Sequence, residues 1–262
     1  MELTIIGAGE LGSRVGRIWK SLAPKAKVIA ETSTAVRHGT LTQLKLSPRL
    51  RSHRDESLTS RILFAVPPSS QKNYYDEVVE ALKVWDRRGP FVLISSTAVY
   101  PEGNGDWMNE YSITGTGERA SRLLSAEKVV TDYGGSVIRM AGLYSLNRGP
   151  HRSYEHERES RSNAKGFLNL IHYEDAAQIA VRALSQLPGK NIYLGCDGTP
   201  LTREDLVKWS NQYLRTNIKI KFLGKETNLG KRCDAKITRQ ALSWEPKVPS
   251  FEWFCINRPN ID

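Results

Sequence analysis

The chain opens on a short apolar run, L-T-I-I, that ends in G-A-G-E-L-G, and this turn limits what can be built around it. Gly7, Gly9 and Gly12 stand in the spacing G-x-G-x-x-G, with Gly16 one helical turn further on. Val15, Ile18, Trp19 and Leu22 then recur at helical intervals, so the segment reads as strand, glycine turn, helix. In such a unit the first glycine permits a tight turn, the second lets the backbone approach a pyrophosphate, and the third lets helix and strand pack closely. The amides at the start of the helix are left to hold an anion. The spacing alone is weak; its position between the first strand and the first helix makes it informative and points to a bound dinucleotide.

The rest of the chain continues the alternation. Lys27 to Ala30 reads as a second strand, and Arg61 to Val66 as a third, closed by Pro67-Pro68. Tyr74 to Trp85 carries Val78, Val79, Leu82 and Trp85 on one helical face, and Phe91 to Ile94 is a fourth strand. A loop from Pro101 to Gly117 precedes a helix over Arg119 to Val130, and the strand Ser136 to Met140 follows. Strand and helix return over Asn169 to Leu184, and Asn191 to Leu194 reads as the last sheet strand. Apolar runs that alternate with helices imply a parallel sheet covered on both faces.

From Tyr144 to Lys165 the composition turns to Arg, His, Glu, Ser and Asn, which fits an exposed insertion, either a lid that orders on a ligand or a solvated loop. Thr202 and Asp205 form a capping-box-like entry to a helix running to about Tyr213. The expected architecture is α/β. It has a Rossmann-type doubly wound parallel sheet with its core in 1–145, completed by about 167–196. Residues 146–166 and 197–262 form an insertion and a small C-terminal α+β substrate lobe.

Bulk properties exclude several other classes. The longest apolar runs, Phe91 to Ile94 and Ile62 to Pro68, fall far short of a bilayer, and no secretion or transit segment is visible ahead of L-T-I-I. Cys196, Cys233 and Cys255 are odd in number and scattered, so neither a disulfide framework nor a zinc site is indicated, no metal is expected, and a reducing, cytoplasmic setting fits. A net charge of +10 favours an anionic partner, yet the basic residues cluster only at Arg49–Arg54 and Arg148–Arg161 and no reader motif accompanies them. Nucleic acid is therefore disfavoured against a small anionic ligand.

An acidic residue at the end of the second strand would accept from a ribose 2′-hydroxyl and favour NAD, whereas a nearby arginine would favour NADP. Glu31 holds the first position and Arg37 lies close behind, so the two signals conflict, with a slight lean to NAD(H).

After the fourth strand comes I-S-S-T-A-V-Y-P, a hydroxyl-rich exit at the carboxyl edge of the sheet. Taken with A-V-P-P-S after the third strand, R-M-A-G-L-Y with Asn147-Arg148-Gly149, N-L-I-H-Y-E-D-A-A and a closing G-K-R, it resembles the extended, epimerase/dehydratase kind of short-chain dehydrogenase/reductase, nearly end to end. That resemblance places Leu11, Ala65, Val66 and Pro67 with the glycines at the cofactor. It makes Ser96 the hydroxyl that hydrogen-bonds the reacting oxygen, and sets Arg148 against an anionic or sugar-like part of the substrate. It also implies a homodimer.

The same family carries a Y-x-x-x-K pair on the next helix. Counting back eight and four residues from Glu127 gives Arg119 and Leu123, so neither residue of the pair is present. The R-x-x-R-L-x-x-A-E form resembles an atypical, YeeZ-like subgroup with the same loss. Arg119 is a poor proton shuttle and Leu123 offers nothing to a ribose hydroxyl. Tyr111 and Tyr144 are the nearest substitutes, each read more readily as packing. Arg152 would join Arg148 in an anion clamp. Asp175 reads as a helix N-cap and His172 as a structural hydrogen-bonding residue. Two functions stay open: an NAD(P)-dependent oxidoreductase, epimerase or lyase on a small substrate, and a non-catalytic protein that senses the dinucleotide.

Overall fold

The computed structural model describes residues 2–54, 57–68 and 73–259. The chain divides into two compact units that interleave along the sequence. The first comprises Met1–Ser96, Ser121–Arg139 and Ala177–Tyr193, the second Thr97–Ala120, Met140–Ala176 and Leu194–Asp262.

The sheet strands in chain order are β1 (Glu2–Ile6), β2 (Lys27–Thr32), β3 (Ser47–Leu50), β4 (Ile62–Phe64), β5 (Phe91–Ser96), β6 (Ser136–Met140) and β7 (Ile192–Gly195). They lie side by side in the order β7-β6-β5-β4-β1-β2-β3. The parallel registers run from Ile6↔Glu31 through Ile6↔Phe64 to Phe64↔Leu93. From β1 the order grows outward in both directions, which right-handed crossovers achieve only by placing successive helices on opposite faces. The reversal falls between β1 and β4, the crevice where sheets of this type take a ligand. The expected doubly wound parallel sheet is the observed one.

β1, β4 and β6 are buried almost throughout, which is why they read as continuous apolar runs. Helix α1 (Glu10–Leu22) buries Leu11, Val15, Ile18 and Trp19, and Lys20 Nζ donates to the carbonyls of Pro24 (2.7 Å) and Ala26 (2.9 Å), closing the turn into β2. Past the short helix α2 (His38–Gln43) comes β3, which the sequence reading does not contain. Its S-P-R-L has no apolar run, and Pro48 is tolerated because β3 is the edge strand of the sheet, beside β2 among the described residues. Helix α3 (Tyr74–Lys83) packs Tyr74, Val78 and Leu82 with Phe64, Phe91 and Val130 of α4 (Glu118–Tyr133) in one cluster.

A buried polar network ties α4 to the sheet. Glu127 accepts from Ser95 Oγ on β5 (2.5 Å) and from Arg139 on β6, Nε at 3.1 Å and the terminal nitrogen at 2.8 Å. The side chains of Arg139 and Glu127 are 6% and 4% exposed. Removing one partner of such a pair leaves a charge in a medium that cannot solvate it.

The second unit has its own core of Tyr144, Leu170, Leu206, Phe251 and Phe254. Strand 142–144 runs parallel to 170–172, 104–108 parallel to 230–233, and 167–168 antiparallel to 201–202. Thr202 caps the helix Arg203–Tyr213, accepting from the Asp205 amide at 3.1 Å, as the sequence indicates. Residues 144–165 are anchored rather than merely solvated: His151 is fully buried, Tyr154 and Asn163 nearly so, and a short helix spans Pro150–Tyr154. Sparse apolar anchors hid this, because a few well-placed side chains hold the segment.

Glu127→Ala is expected to cost about 3–5 kcal/mol, read as a shift of the urea unfolding midpoint; a loss below about 1 kcal/mol would show that the network is dispensable.

Candidate dinucleotide site

The site is built where β1 ends. Gly7 has φ +93°, a conformation L side chains rarely adopt, and a Cβ placed on it would lie 2.8 Å from the Ala65 carbonyl carbon and the Val66 nitrogen. The turn therefore fits against the chain leaving β4 only as glycine. A Cβ on Gly12 would lie 2.6 Å from the Gly7 oxygen and 2.9 Å from Ile5 Cγ2, so α1 approaches the strand closely there. Gly9 differs: nothing lies within 4 Å of where its Cβ would be. It caps α1 without a side-chain hydrogen bond, so the first amides of the helix have no capping oxygen. The turn is further fixed by the Glu31 carbonyl, which accepts from the Gly7 (3.0 Å) and Ala8 (2.8 Å) amides.

Gly7, Gly9, Leu11, Gly12, Ala65 and Val66 are thus brought together at the β1/β4 switch point, with Pro67 exposed just beyond. Pro68 accepts from Arg122 of α4 (2.6 Å). Ser69, the last residue of A-V-P-P-S, lies outside the described residues.

Glu31, at the end of β2, is held by two arginines. Its residue is 1% exposed, and its carboxylate lies against two guanidiniums. Arg54 donates to both oxygens, and Arg49 donates to Oε2 at 3.2 Å. The Arg49–Arg54 cluster is thus committed to carboxylates, Arg51 pairing with Glu77 at 3.0 Å, and is not a loose basic face.

At the end of β5 the two adjacent serines have different surroundings. Side chains alternate along a strand, and Ser95 points to Glu127, which leaves Ser96, half-buried, on the opposite face. On α4, Arg119 is exposed and Leu123 is 2% exposed, so Leu123 is a core residue of the helix. Tyr74, which the sequence reading gave no site role, carries a buried hydroxyl with no hydrogen-bond partner among the described residues. Burial raises its pKa, which keeps it neutral and makes it a weak acid.

In the second unit, Arg148 is exposed, in a turn closed by the Ser145 amide to its carbonyl (2.9 Å). Arg152 is occupied by Glu155 (2.9 Å) and the Leu146 carbonyl (2.9 Å), so the expected two-arginine clamp is not assembled. Tyr144 packs edge-on to Phe251 (5.1 Å) and Phe254 (5.4 Å), whereas Tyr111 is 82% exposed and packs little. Asp175 is not the cap of its helix. It sits inside the first turn and accepts from the Lys247 and Val248 amides (2.9 Å each), while His172 Nδ1, just before the helix, accepts from the Glu174 amide (3.2 Å).

Among the described residues no cluster of three or more His, Cys, Asp or Glu is placed to hold a metal ion, and no helix is long and apolar enough to cross a membrane.

No family model and no curated protein matches the chain. Solved structures do. A conserved protein of unknown function from Silicibacter pomeroyi DSS superposes with a TM-score of 0.80 at 18% identity, over 97% of this chain and 96% of its own. The dTDP-glucose 4,6-dehydratase of Bacillus anthracis, solved with NAD, gives 0.77 at 16% identity over 98% and 97%. The UDP-N-acetylglucosamine 4-epimerase of Bacillus cereus gives 0.75 at 13% over 99% and 100%. At these identities the likeness establishes the fold, a Rossmann-type α/β architecture of the kind those epimerases and dehydratases share.

Two outcomes check the geometry. Gly7→Ala combines a left-handed φ with backbone overlap and is expected to lose more than about 3 kcal/mol in chemical denaturation, whereas Gly9→Ala stays within about 1 kcal/mol. Burial pushes Cys233 and Cys255 up to about 12 and raises Cys196 as well. The folded protein at about pH 8 should then show no rapid reaction with a thiol-specific aromatic disulfide, and the denatured protein should titrate all three cysteines.

Proposed function

We propose that the chain binds a nicotinamide dinucleotide at its N-terminal glycine turn and acts on a small, sugar-like or anionic substrate. The observation that carries this reading is the contrast among the three glycines. Gly7 and Gly12 are closed against protein, while Gly9 faces open space at the start of a helix whose amides carry no cap. Such a cradle suits a pyrophosphate, whose oxygens accept from the amides of Leu11 and Gly12 in the field of the helix N-terminus. Ala65, Val66 and Pro67 form its floor. The dehydratase with the similar fold is solved with NAD, which supports a dinucleotide as the ligand. In domain terms, residues 1–145 with about 167–196 serve the cofactor, and 146–166 with 197–262 serve the substrate.

A bound nicotinamide supplies a hydride acceptor or donor. The chain's own residues do the rest. Ser96 hydrogen-bonds and polarises the substrate oxygen, and Arg148 pairs with an anionic or sugar hydroxyl group. Where related chemistry uses a phenol and an ammonium, this helix offers a guanidinium that holds its proton and an isobutyl group packed in the core. On this reading the chain is an atypical, YeeZ-like member of the extended short-chain dehydrogenase/reductases. Proton transfer has to come from outside that helix or not occur, which is a loss of about 10²–10⁴-fold in rate for ordinary alcohol oxidation.

The buried Leu123 also favours a second reading, a binding protein that senses the dinucleotide without turnover. The two part on one variant: with a turned-over substrate, Ser96→Ala lowers kcat by about 10²–10³-fold, whereas a sensor shows binding and no turnover with or without Ser96.

Calorimetric titration should give saturable binding of NADH or NADPH. Gly9→Val should weaken it by about 100-fold or more, the loss of one or two charge-assisted hydrogen bonds, with the thermal midpoint held within about 4 °C. Absence of binding by either dinucleotide removes the reading.

A further inference from the structure

The dinucleotide reading places the pyrophosphate; charge at the carboxyl end of β2 decides which ribose fits. We infer, resting on that reading, that the site takes the 2′-phosphorylated dinucleotide NADP(H) in preference to NAD(H), with Arg37 as the residue that reads the 2′-phosphate.

The first observation concerns the acceptor that NAD would need. Glu31 is the acidic residue at the end of β2, and a ribose 2′-hydroxyl would have to donate to it. Both carboxylate oxygens already accept from guanidiniums, Oε1 from Arg54, and Oε2 from Arg54 Nε (3.0 Å) and Arg49 (3.2 Å), and the side chain is 1% exposed. Serving a hydroxyl would mean giving up charge-assisted hydrogen bonds for a neutral one, and such bonds are roughly twice as strong.

The second observation concerns Arg37. It follows β2 and reaches back over the first turn of α1, the turn that opens the cradle. Among the described residues its partners are distant ones, Glu10 Oε2 at 3.6 Å and Ser13 Oγ at 3.4 Å, and its side chain is 37% exposed. A guanidinium so loosely held, beside the glycine turn, has donors to offer a phosphate in bidentate fashion.

A phosphate monoester carries about −1.5 to −2 at neutral pH and matches a guanidinium such as that of Arg37 in charge and in bidentate geometry, whereas a ribose hydroxyl does not. That a dehydratase of similar fold holds NAD does not oppose this, since the fold is shared and these side chains decide the ribose end.

The test is calorimetric titration of the purified chain with NADPH and NADH, then with adenosine 2′,5′-bisphosphate and adenosine 5′-monophosphate as fragments. NADPH should bind at least about tenfold tighter than NADH, equivalent to about 1.4 kcal/mol, and the bisphosphate should compete where the monophosphate does not. Arg37→Ala should weaken NADPH about tenfold and leave NADH within about twofold, with Arg37→Lys intermediate; unchanged NADH binding doubles as the check that the variant is folded. Equal or tighter binding of NADH overturns the preference and leaves the dinucleotide reading standing. Equal weakening of both ligands by Arg37→Ala overturns the role of Arg37. Failure of both dinucleotides to bind overturns the inference together with the reading beneath it.

Discussion

Gly7 is wedged against the peptide that joins Ala65 to Val66, at a distance that admits no side chain, and most of the first unit is arranged around that contact. It sets the end of β1 against the end of β4, the two strands between which the sheet order reverses. The Glu31 carbonyl then draws in the Gly7 and Ala8 amides and brings the end of β2 to the same point. Three strand ends and one helix start converge within a few residues because one position has no Cβ. Gly12 continues the logic, letting α1 approach close enough that its first amides face the opening beside Gly9.

Two kinds of buried charge flank this point and behave differently. Glu127, Ser95 and Arg139 form a closed network inside the unit that fixes α4 on the sheet, and it offers nothing to a ligand. Glu31 with Arg49 and Arg54 is equally buried at the carboxylate and lies at the carboxyl end of β2. The first arrangement secures position. The second takes up the acidic side chain at the end of β2. On α4 itself, Leu123 is packed in the core, so at that position the helix contributes rigidity.

Much of the fold was legible in sequence, for identifiable reasons. β1, β4, β5 and β6 are buried on both faces and therefore read as apolar runs, and the glycine spacing marks the turn unambiguously once a strand precedes it. β3 was invisible because an edge strand needs no apolar run and tolerates Pro48. The glycine cradle was legible because its constraint is local. The partners of Glu31 were not legible because they lie 18 and 23 residues away, and a carboxylate at the end of a strand looks the same in sequence whatever it is bound to. Asp175 was misread as a cap for the same kind of reason, its amide donors standing 72 and 73 residues downstream. Local backbone demands can be read from residue types; the partners of a buried charge cannot.

The account stands on anion capture by the amides of the first turn. Hydrogen–deuterium exchange of the peptide covering Gly7 to Gly12, with and without NADPH, tests that most directly. The account predicts that the amides of Leu11 and Gly12 slow strongly on addition of the dinucleotide. Unchanged exchange there, with protection arising elsewhere in the chain, would contradict it.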